Sequence, residues 1–278
     1  MGMSVIKNLR VSVVIPVYNE AAHLDACLQA IAAQTVSPHE VIVVDNNSDD
    51  DSAAIARSYD FVTLIHEPRQ GVVHARNRGF NAATGDIIGR IDADTLLVED
   101  WIATLQRLFS DNSLGAVSGA VTYHDLPWRL FLGQLDLTFR QWIANGMGRE
   151  VFLFGSNMAL RRSAWRKVRR HVCNTGGMHE DFDLAIHLHE TGARVAFDRR
   201  LRAAVSLRRF NTAMNDYWEY VWLSPKTYSL HDKRSHFRMY PVVALVVANY
   251  WLIQLLYRGY NFAQSTTALR VNPATFVD

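Results

Sequence analysis

Val11-Ser-Val-Val-Ile-Pro-Val-Tyr-Asn-Glu20 decides how the rest of the chain is read. Its apolar residues run continuously instead of alternating, which marks a strand buried on both faces, as in a parallel sheet. Leu24, Cys27, Leu28 and Ile31 then recur at helical spacing. A second buried strand follows at Glu40-Val-Ile-Val-Val-Asp45, and Ser48 or Asp49 is placed to cap a helix running to about Tyr59. Phe61 to His66 reads as a third strand, Gly71 to Ala83 as a helix, Asp86 to Asp92 as a fourth strand and Val98 to Ser110 as a helix. Strands alternating with helices at this spacing predict βαβ units in a doubly wound α/β sheet.

Beyond residue 115 the pattern loosens. Ala116 to Tyr123 reads as a strand and Trp128 to Ala144 as a long helix. A basic helix near Ser163 to Arg170, a helix from Glu180 to Thr191, and short strands at Val195 to Phe197 and Ala203 to Ser206 follow. The remainder is mainly helical. The 278 residues show no repeat and no low-complexity linker, so residues 1–210 are expected to form one α/β domain and 211–278 a helical C-terminal extension.

The formal net charge of +2 conceals a split. Residues 1–126 hold 8 Lys/Arg against 16 Asp/Glu, and residues 127–278 hold 21 against 11. The near-zero balance excludes a generic nucleic-acid binder, and the asymmetry gives the halves different work. Two cysteines, Cys27 and Cys173, make no disulfide framework and predict a reducing, cytoplasmic setting, with the inner face of the plasma membrane as a further expectation. Met1 to Arg10 lacks the apolar core of a signal peptide, and Ile6 departs from a myristoylation pattern. Pro241 to Tyr257 is a 17-residue run without a charge, flanked by Lys233, Arg234, Arg238 and Arg258 and fringed by tyrosine and tryptophan. Three readings fit it: a helix packed in protein, one lying on a membrane surface, or a span of minimal length.

In an open α/β sheet, ligands bind beyond the carboxyl ends of the strands. Three polar clusters fall there: Tyr18-Asn-Glu20, Asp45-Asn-Asn47 and Asp92-Ala-Asp94. Asn and Asp also make turns and caps, which accounts for Asn46, Asn47 and Asp49 singly but not for all three clusters together. Residues i and i+2 of an extended chain project to the same side, so Asp92 and Asp94 can converge on one point. Two carboxylates that close repel unless a cation sits between them, and hard oxygen ligands suit Mg²⁺ or Mn²⁺ bridging to substrate phosphates. The chain has neither the Gly-X-Gly-X-X-Gly of a dinucleotide site nor a Walker-type phosphate loop. A metal bridge is the natural substitute for that glycine cradle.

These pieces resemble the family-2 glycosyltransferases with the GT-A fold. The resemblance is carried by Val11 to Glu20, Glu40 to Ser48, Gly71-Val-Val-His-Ala-Arg-Asn-Arg-Gly79, Thr84-Gly-Asp86 and Ile91-Asp-Ala-Asp94, in the family's order. Gly155-Ser-Asn157, Glu180-Asp181 and Ser206-Leu-Arg-Arg-Phe210 look like its acceptor-side elements, so the likeness covers about residues 11–210. It implies a Rossmann-like mixed sheet and transfer of sugar from a nucleoside-diphosphate sugar, a UDP-sugar favoured, to a hydroxyl acceptor such as a lipid-linked or cell-envelope glycan.

Residue by residue, the resemblance implies that Pro16, Val17, Tyr18 and Glu20 border the nucleoside and that Asp45 accepts a hydrogen bond from base or ribose. Arg76 would lie near the nucleotide, Asp92 would face the ribose or sugar, and Asp94 would bind the metal, Mg²⁺ or Mn²⁺. Gly155, Ser156, Asn157, Glu180, Arg208 and Arg209 would contact the acceptor or diphosphate; Asp86 would be structural. Asp181 would be the general base, since a sugar hydroxyl is a poor nucleophile until a carboxylate takes its proton. Attack opposite the leaving group would invert the anomeric centre. The Gln-X-X-Arg-Trp element of processive synthases is absent, which favours transfer of a single sugar. A third metal ligand is not evident, with His179 and His231 as candidates. Six basic residues between Arg161 and Arg170, with the flanks of 241–257, could dock an anionic lipid surface or a lipid-linked phosphate. Two competitors are a catalytically silent nucleotide-sugar-binding scaffold, against which the intact Asp45, Asp92, Asp94 and Asp181 weigh, and a nucleotidyltransferase, whose Gly-rich basic loop is missing.

Overall fold

A computed structural model describes residues 8–124, 129–146, 152–174, 177–206, 208, 214–231, 237, 239–248, 250 and 254–255. At its centre β1 (Val11–Val17) pairs in parallel with β2 (Glu40–Asp45) on one side and β4 (Ile87–Ile91) on the other. β3 (Val62–His66) extends the parallel part beyond β2. Past β4 the sheet becomes mixed: β7 (Asn157–Arg161) runs antiparallel to both β4 and β6 (Leu114–Tyr123). β6 pairs in parallel with β8 (Arg194–Val205), and β5 (Leu96–Leu97) closes the far edge. The order is β3-β2-β1-β4-β7-β6-β8-β5.

The continuous apolarity of β1 has its cause in this arrangement. Val13, Ile15 and Val17 face a core shared with α1 (Ala21–Ala32) and α4 (Trp101–Leu108), while Val14 faces a second core built on α3 (Val72–Ala82), α6 (Arg162–Val168) and α7 (Glu180–Glu190). Alternate residues of one strand therefore bury into opposite layers. On the first side the Trp101 indole lies so close to the sheet that a Cβ at Gly89 would sit 2.5 Å from it. Trp101 also donates through Nε1 to Asn157 Oδ1 at 2.8 Å, in the buried interior.

The elements differ from the sequence expectation in four places. The helix expected from Ser48 or Asp49 begins later, as α2 (Ser52–Arg57). The preceding residues are spent joining two loops: Ser48 Oγ accepts from the Asn19 amide, Asp50 Oδ2 from the Ala21 amide, and Ser52 Oγ from the Glu20 amide. β7 occupies the stretch that includes Asn157, which the sequence leaves unassigned, because its apolar run is only Met-Ala-Leu. β5 is two residues long, too short for periodicity to register. The two short strands expected near 195 and 205 are one strand, β8, whose Asp198-Arg199-Arg200 interruption coincides with a register shift against β6.

α5 (Arg129–Gly146) and α8 (Met214–Leu230) complete the helices. Tyr228 of α8 packs with Phe152 and Phe182, and Met239 and Val242 join that cluster. Val243 and Tyr250 pack on Tyr217 and Val221. Within the apolar run 241–257, one face is thus buried on α8, whereas Leu245 and Leu255 are exposed. Among the described residues no helix is long and apolar enough to cross a membrane. The basic flanks Lys233, Arg234, Arg238 and Arg258 lie outside the described residues.

Trp101→Phe keeps the packing surface but strands Asn157 Oδ1 in the interior. Leaving a buried acceptor unsatisfied costs about 1–3 kcal/mol, so the urea midpoint is expected to fall with an unchanged denaturant slope.

Candidate active site

The carboxyl ends of β1, β2 and β4 lie at one end of the sheet, because β1 pairs in parallel with both neighbours, Val17 with Asp45 and Val14 with Arg90. Asp45 ends β2 with its carboxylate largely buried: Oδ1 accepts from the Ser48 amide at 3.2 Å and Oδ2 lies 3.4 Å from His66 Nδ1. Pro16 and Val17 close β1, and Tyr18 is exposed just beyond. Asn46 and Asn47 serve the loops: Asn46 Nδ2 donates to the carbonyls of Glu67 and Arg69, and Asn47 Nδ2 donates to Pro68 O with Asn47 at φ 65°. Asp86 accepts from the Arg10 amide at 3.0 Å at the opposite end of β4.

Asp94 and Glu20 share one arginine. Arg208 reaches back from beyond β8 so that Nε lies 3.0 Å from Asp94 Oδ2 while Nη2 pairs with Glu20 Oε1. Burial, then the neighbouring Asp92 carboxylate, pushes Asp94 above its ordinary value, and Arg208 opposes that shift. Glu20 Oε2 is buried without a hydrogen-bond partner among the described residues. Asp94, raised by burial and then by Asp92, and the orphaned Glu20 Oε2 offer hard oxygen donors that suit a divalent cation, at a place where Arg208 supplies the positive charge in this structure.

Arg90 is the residue of this candidate site that sequence reasoning missed. It lies inside β4, 4% exposed, and its Nη2 sits 2.9 Å from Asp92 Oδ1 and 3.2 Å from Glu180 Oε1. One guanidinium therefore ties the end of β4 to the start of α7. The signal was an arginine within Ile87-Ile-Gly-Arg-Ile91, where a charge belongs only if it is paired. Gly155 makes room for it: a Cβ there would fall 1.0 Å from Arg90 Nη1.

Glu180 and Asp181 open α7, in the first turn where the helix dipole favours negative charge. Arg76 is fully buried beneath them, with Nη1 donating to the Glu180 carbonyl and Nη2 to Asn77 Oδ1 at 2.8 Å. Burial opposes the charge on Glu180, but Arg90 and Arg76 hold it below the usual carboxylate range. Asp181 moves the other way. Burial and the charge on Glu180 push it up to about 7, against the pull of Arg90. Its Oδ2 accepts from the Gly155 amide and its Oδ1 from the Phe182 amide, both at 3.0 Å. The Ser156 carbonyl accepts from Thr95 Oγ1 at 3.2 Å.

Other expected site residues fall elsewhere. The Asn157 side chain points into the interior, where Nδ2 donates to the Ala120 and Leu201 carbonyls and Oδ1 accepts from Trp101. Its amide is consumed by the core, so no acceptor contact follows from it. Arg209 lies outside the described residues. The His179 ring packs against Phe182 and Tyr220, and His231 bonds through Nε2 to Asp183 Oδ1, so that histidine belongs to a different cluster from Asp94.

The family model described as "Glycosyl transferase family 2" matches residues 12–169. The chain belongs to glycosyltransferase family 2. The glycosyltransferase AglE of Haloferax volcanii is 37% identical over 120 residues, 41% of this chain and 40% of that protein. The chain thus matches less than half the length of that relative. A glucosyl-dolichyl phosphate glucuronosyltransferase of the same organism is 23% identical over 255 residues, 84% of this chain and 79% of that protein. Among solved structures, the mannosyltransferase PcManGT from Pyrobaculum calidifontis, in complex with GDP-Man and Mn²⁺, superposes with a TM-score of 0.61 at 21% identity, covering 95% of this chain and 76% of that one. Glucosyl-3-phosphoglycerate synthase from Mycobacterium tuberculosis, solved with Mn²⁺, UDP and glucosyl-3-phosphoglycerate, gives 0.57 at 17% identity, covering 80% of each chain. These neighbours are GT-A enzymes, and the family-2 transferase has that fold.

The raised Asp181 has a thermodynamic consequence. Its folded-state pKa of about 7 exceeds the unfolded value of about 3.9, so the native state binds more protons between the two. The group therefore lowers stability as pH rises through that window. Asp181→Asn is expected to be stabilised relative to the wild type by an amount that grows from about pH 4 to about pH 7 and then levels off, as read from denaturant midpoints across pH.

Proposed function

We propose that this family-2 transferase is inverting and divalent-metal-dependent, moving a single sugar from a nucleoside-diphosphate sugar, UDP-linked for preference, to a hydroxyl of a lipid-linked or cell-envelope glycan. The observation that carries this reading is the Asp181 carboxylate. It is held by the Gly155 amide, raised to about 7, and tied through Glu180 and Arg90 to Asp92 at the end of β4. A base whose pKa lies near the working pH combines a usable deprotonated fraction with real proton affinity.

In this reading a carboxylate oxygen of Asp181 takes the proton of the acceptor hydroxyl as that oxygen attacks the anomeric carbon. Glu180 stays ionised between Arg90 and Arg76 and keeps Asp181 basic. The Gly155 amide fixes the direction of the carboxylate. Asp92 and Asp94 face the sugar-diphosphate, Asp45 the nucleoside, and Arg208 lends positive charge on the leaving-group side. Asp94, with Glu20, would hold the divalent ion, which when bound stabilises the charge on the departing diphosphate. Direct attack from the opposite face inverts the anomeric centre with no covalent enzyme intermediate. A lipid-linked acceptor is supported by the relative named for glucosyl-dolichyl phosphate, and nucleotide preference is supported on the UDP side by the synthase complex, with a GDP-sugar as the contrary case.

Membrane contact at this acceptor is part of the proposal. Trp218, Trp222, Tyr240 and Phe237 form an exposed ridge of successive ring contacts with centroids 5.6, 5.8 and 6.2 Å apart. Amphipathic aromatics of this kind suit the headgroup level of a bilayer.

A panel of nucleotide sugars, scored for nucleoside-diphosphate release with and without chelator, tests the chemistry. Asp94→Ala is expected to lose metal-dependent donor use. Asp181→Ala is expected to bind donor and lose transfer, and wild-type kcat/KM is expected to rise with pH through about 7 as the base deprotonates. Full transfer by Asp181→Ala removes the general base; silence with every donor leaves a nucleotide-sugar-binding scaffold. Flotation with anionic vesicles tests the ridge: Trp218→Ala/Trp222→Ala is expected to leave the lipid fraction, and equal flotation of both proteins removes the membrane contact.

A further inference from the structure

Behind α7, away from the site just described, four potential metal ligands converge. Asp183 follows Asp181 by two residues, a rotation of about 200° around a helix, so its carboxylate points to the opposite side. There Asp183 Oδ1 lies 2.9 Å from His231 Nε2 and 3.4 Å from His187 Nε2. Cys173 Sγ completes the group, and the four ligand atoms all lie within 4.8 Å of one another. The four come from three places in the fold: the segment after α6, two positions one turn apart on α7, and the residue that follows α8.

Three features point to a cation at their centre. Asp183 is fully buried; its Oδ2 accepts from the Cys173 amide at 3.1 Å, and the two half-buried histidines that face Oδ1 balance its charge only when protonated. Among the described residues the buried His187 Nε2 completes no hydrogen bond and has only the Asp183 carboxylate, 3.4 Å away, in front of it. On the other edge of the same ring, Nδ1 lies 3.2 Å from Glu190 Oε2. That contact orients the ring through Nδ1 so that Nε2 faces the cluster, the orientation a carboxylate gives to a metal-bound imidazole. Tetrahedral coordination with bonds of about 2.0–2.3 Å separates neighbouring ligand atoms by about 3.3–3.8 Å, so only small adjustments close the shell. One thiol, two imidazoles and one carboxylate form a softer set than Asp94 and Glu20 offer, and such a set selects zinc over magnesium.

We propose that Cys173, Asp183, His187 and His231 form a structural zinc site that staples the end of α8 and the segment after α6 to the back of α7. All four positions are filled by protein, as in a closed site that contributes to folding instead of catalysis. Its consequence for the transferase is positional. Zinc would anchor the helix whose first turn carries Glu180 and Asp181, and would tie the aromatic-ridged α8 to it. The site is independent of the donor and acceptor assignments made above.

Metal analysis of the full chain after dialysis tests this, with Zn²⁺ and Co²⁺ as the only probes. The wild type and Asp94→Ala are expected to retain about one zinc per chain. His187→Ala/His231→Ala is expected to lose it, with affinity reduced at least about tenfold. Because that variant removes interior contacts, Cys173→Ser supplies a milder second reading. Its Co²⁺ form is expected to keep ligand-field bands and to lose the thiolate-to-cobalt charge-transfer band that the wild type shows. Added Zn²⁺ is expected to raise the Tm of metal-stripped wild type and not that of the double histidine variant. A wild type that neither carries nor takes up zinc overturns the proposal, as does zinc that follows Asp94 instead of the histidines, or a cobalt spectrum unchanged by Cys173→Ser.

Discussion

A single buried guanidinium holds the two sides of this site together. Arg90 rises from the middle of β4, pairs with Asp92 at the end of its own strand and with Glu180 at the start of α7, and is 4% exposed. Breaking a buried pair by removing one partner costs about 3–5 kcal/mol, because the other charge is left uncompensated. The buried Glu180 therefore cannot drift from Arg90 cheaply, whereas Asp92, 40% exposed, is held by a weaker, solvent-screened pairing. Much else follows from that placement. Gly155 has no side chain because the guanidinium occupies its Cβ position. Glu180 is ionised because two arginines face it, and Asp181 is raised because Glu180 is ionised beside it.

The charge asymmetry of the sequence resolves into cross-connections instead of two separate surfaces. Asp45, Glu20, Asp92 and Asp94 come from the acidic half, but the cation on Glu20 and Asp94 is Arg208 of the basic half. Much of the basic excess is structural. Arg161, the first of the run of six, donates to the carbonyls of Phe109, Asp111 and Leu114. Arg194 pairs with Asp111, and Arg200 with Asp198. Arg166, Lys167, Arg169 and Arg170 remain exposed.

The strands were legible because burial on two faces leaves an unbroken apolar run, as β1 and β2 show. The positions of Asp45, Asp92 and Asp94 were legible for a related reason: polar clusters directly after such runs lie at strand ends, where an open sheet leaves a crevice. Asn46 and Asn47 show the limit of that reasoning, since they end the same strand and yet fasten loops. Asn157 carries the signature of an acceptor-side element but spends its amide on Ala120, Leu201 and Trp101. In each case the residue type is suited to either role, and only the direction of the side chain separates them.

The sequence by itself determined the βαβ framework, the family, and the carboxylates at the ends of β1, β2 and β4, because those depend on periodicity and on short spacings along the chain. Tertiary structure alone decided what those carboxylates face. Arg90 meets Glu180 across 90 positions and Arg208 meets Glu20 across 188, while His231 pairs with Asp183 and not with Asp94. Pairing in a low-dielectric interior is set by which side chains the packed sheet and helices bring within a few ångströms, and no local pattern encodes that distance.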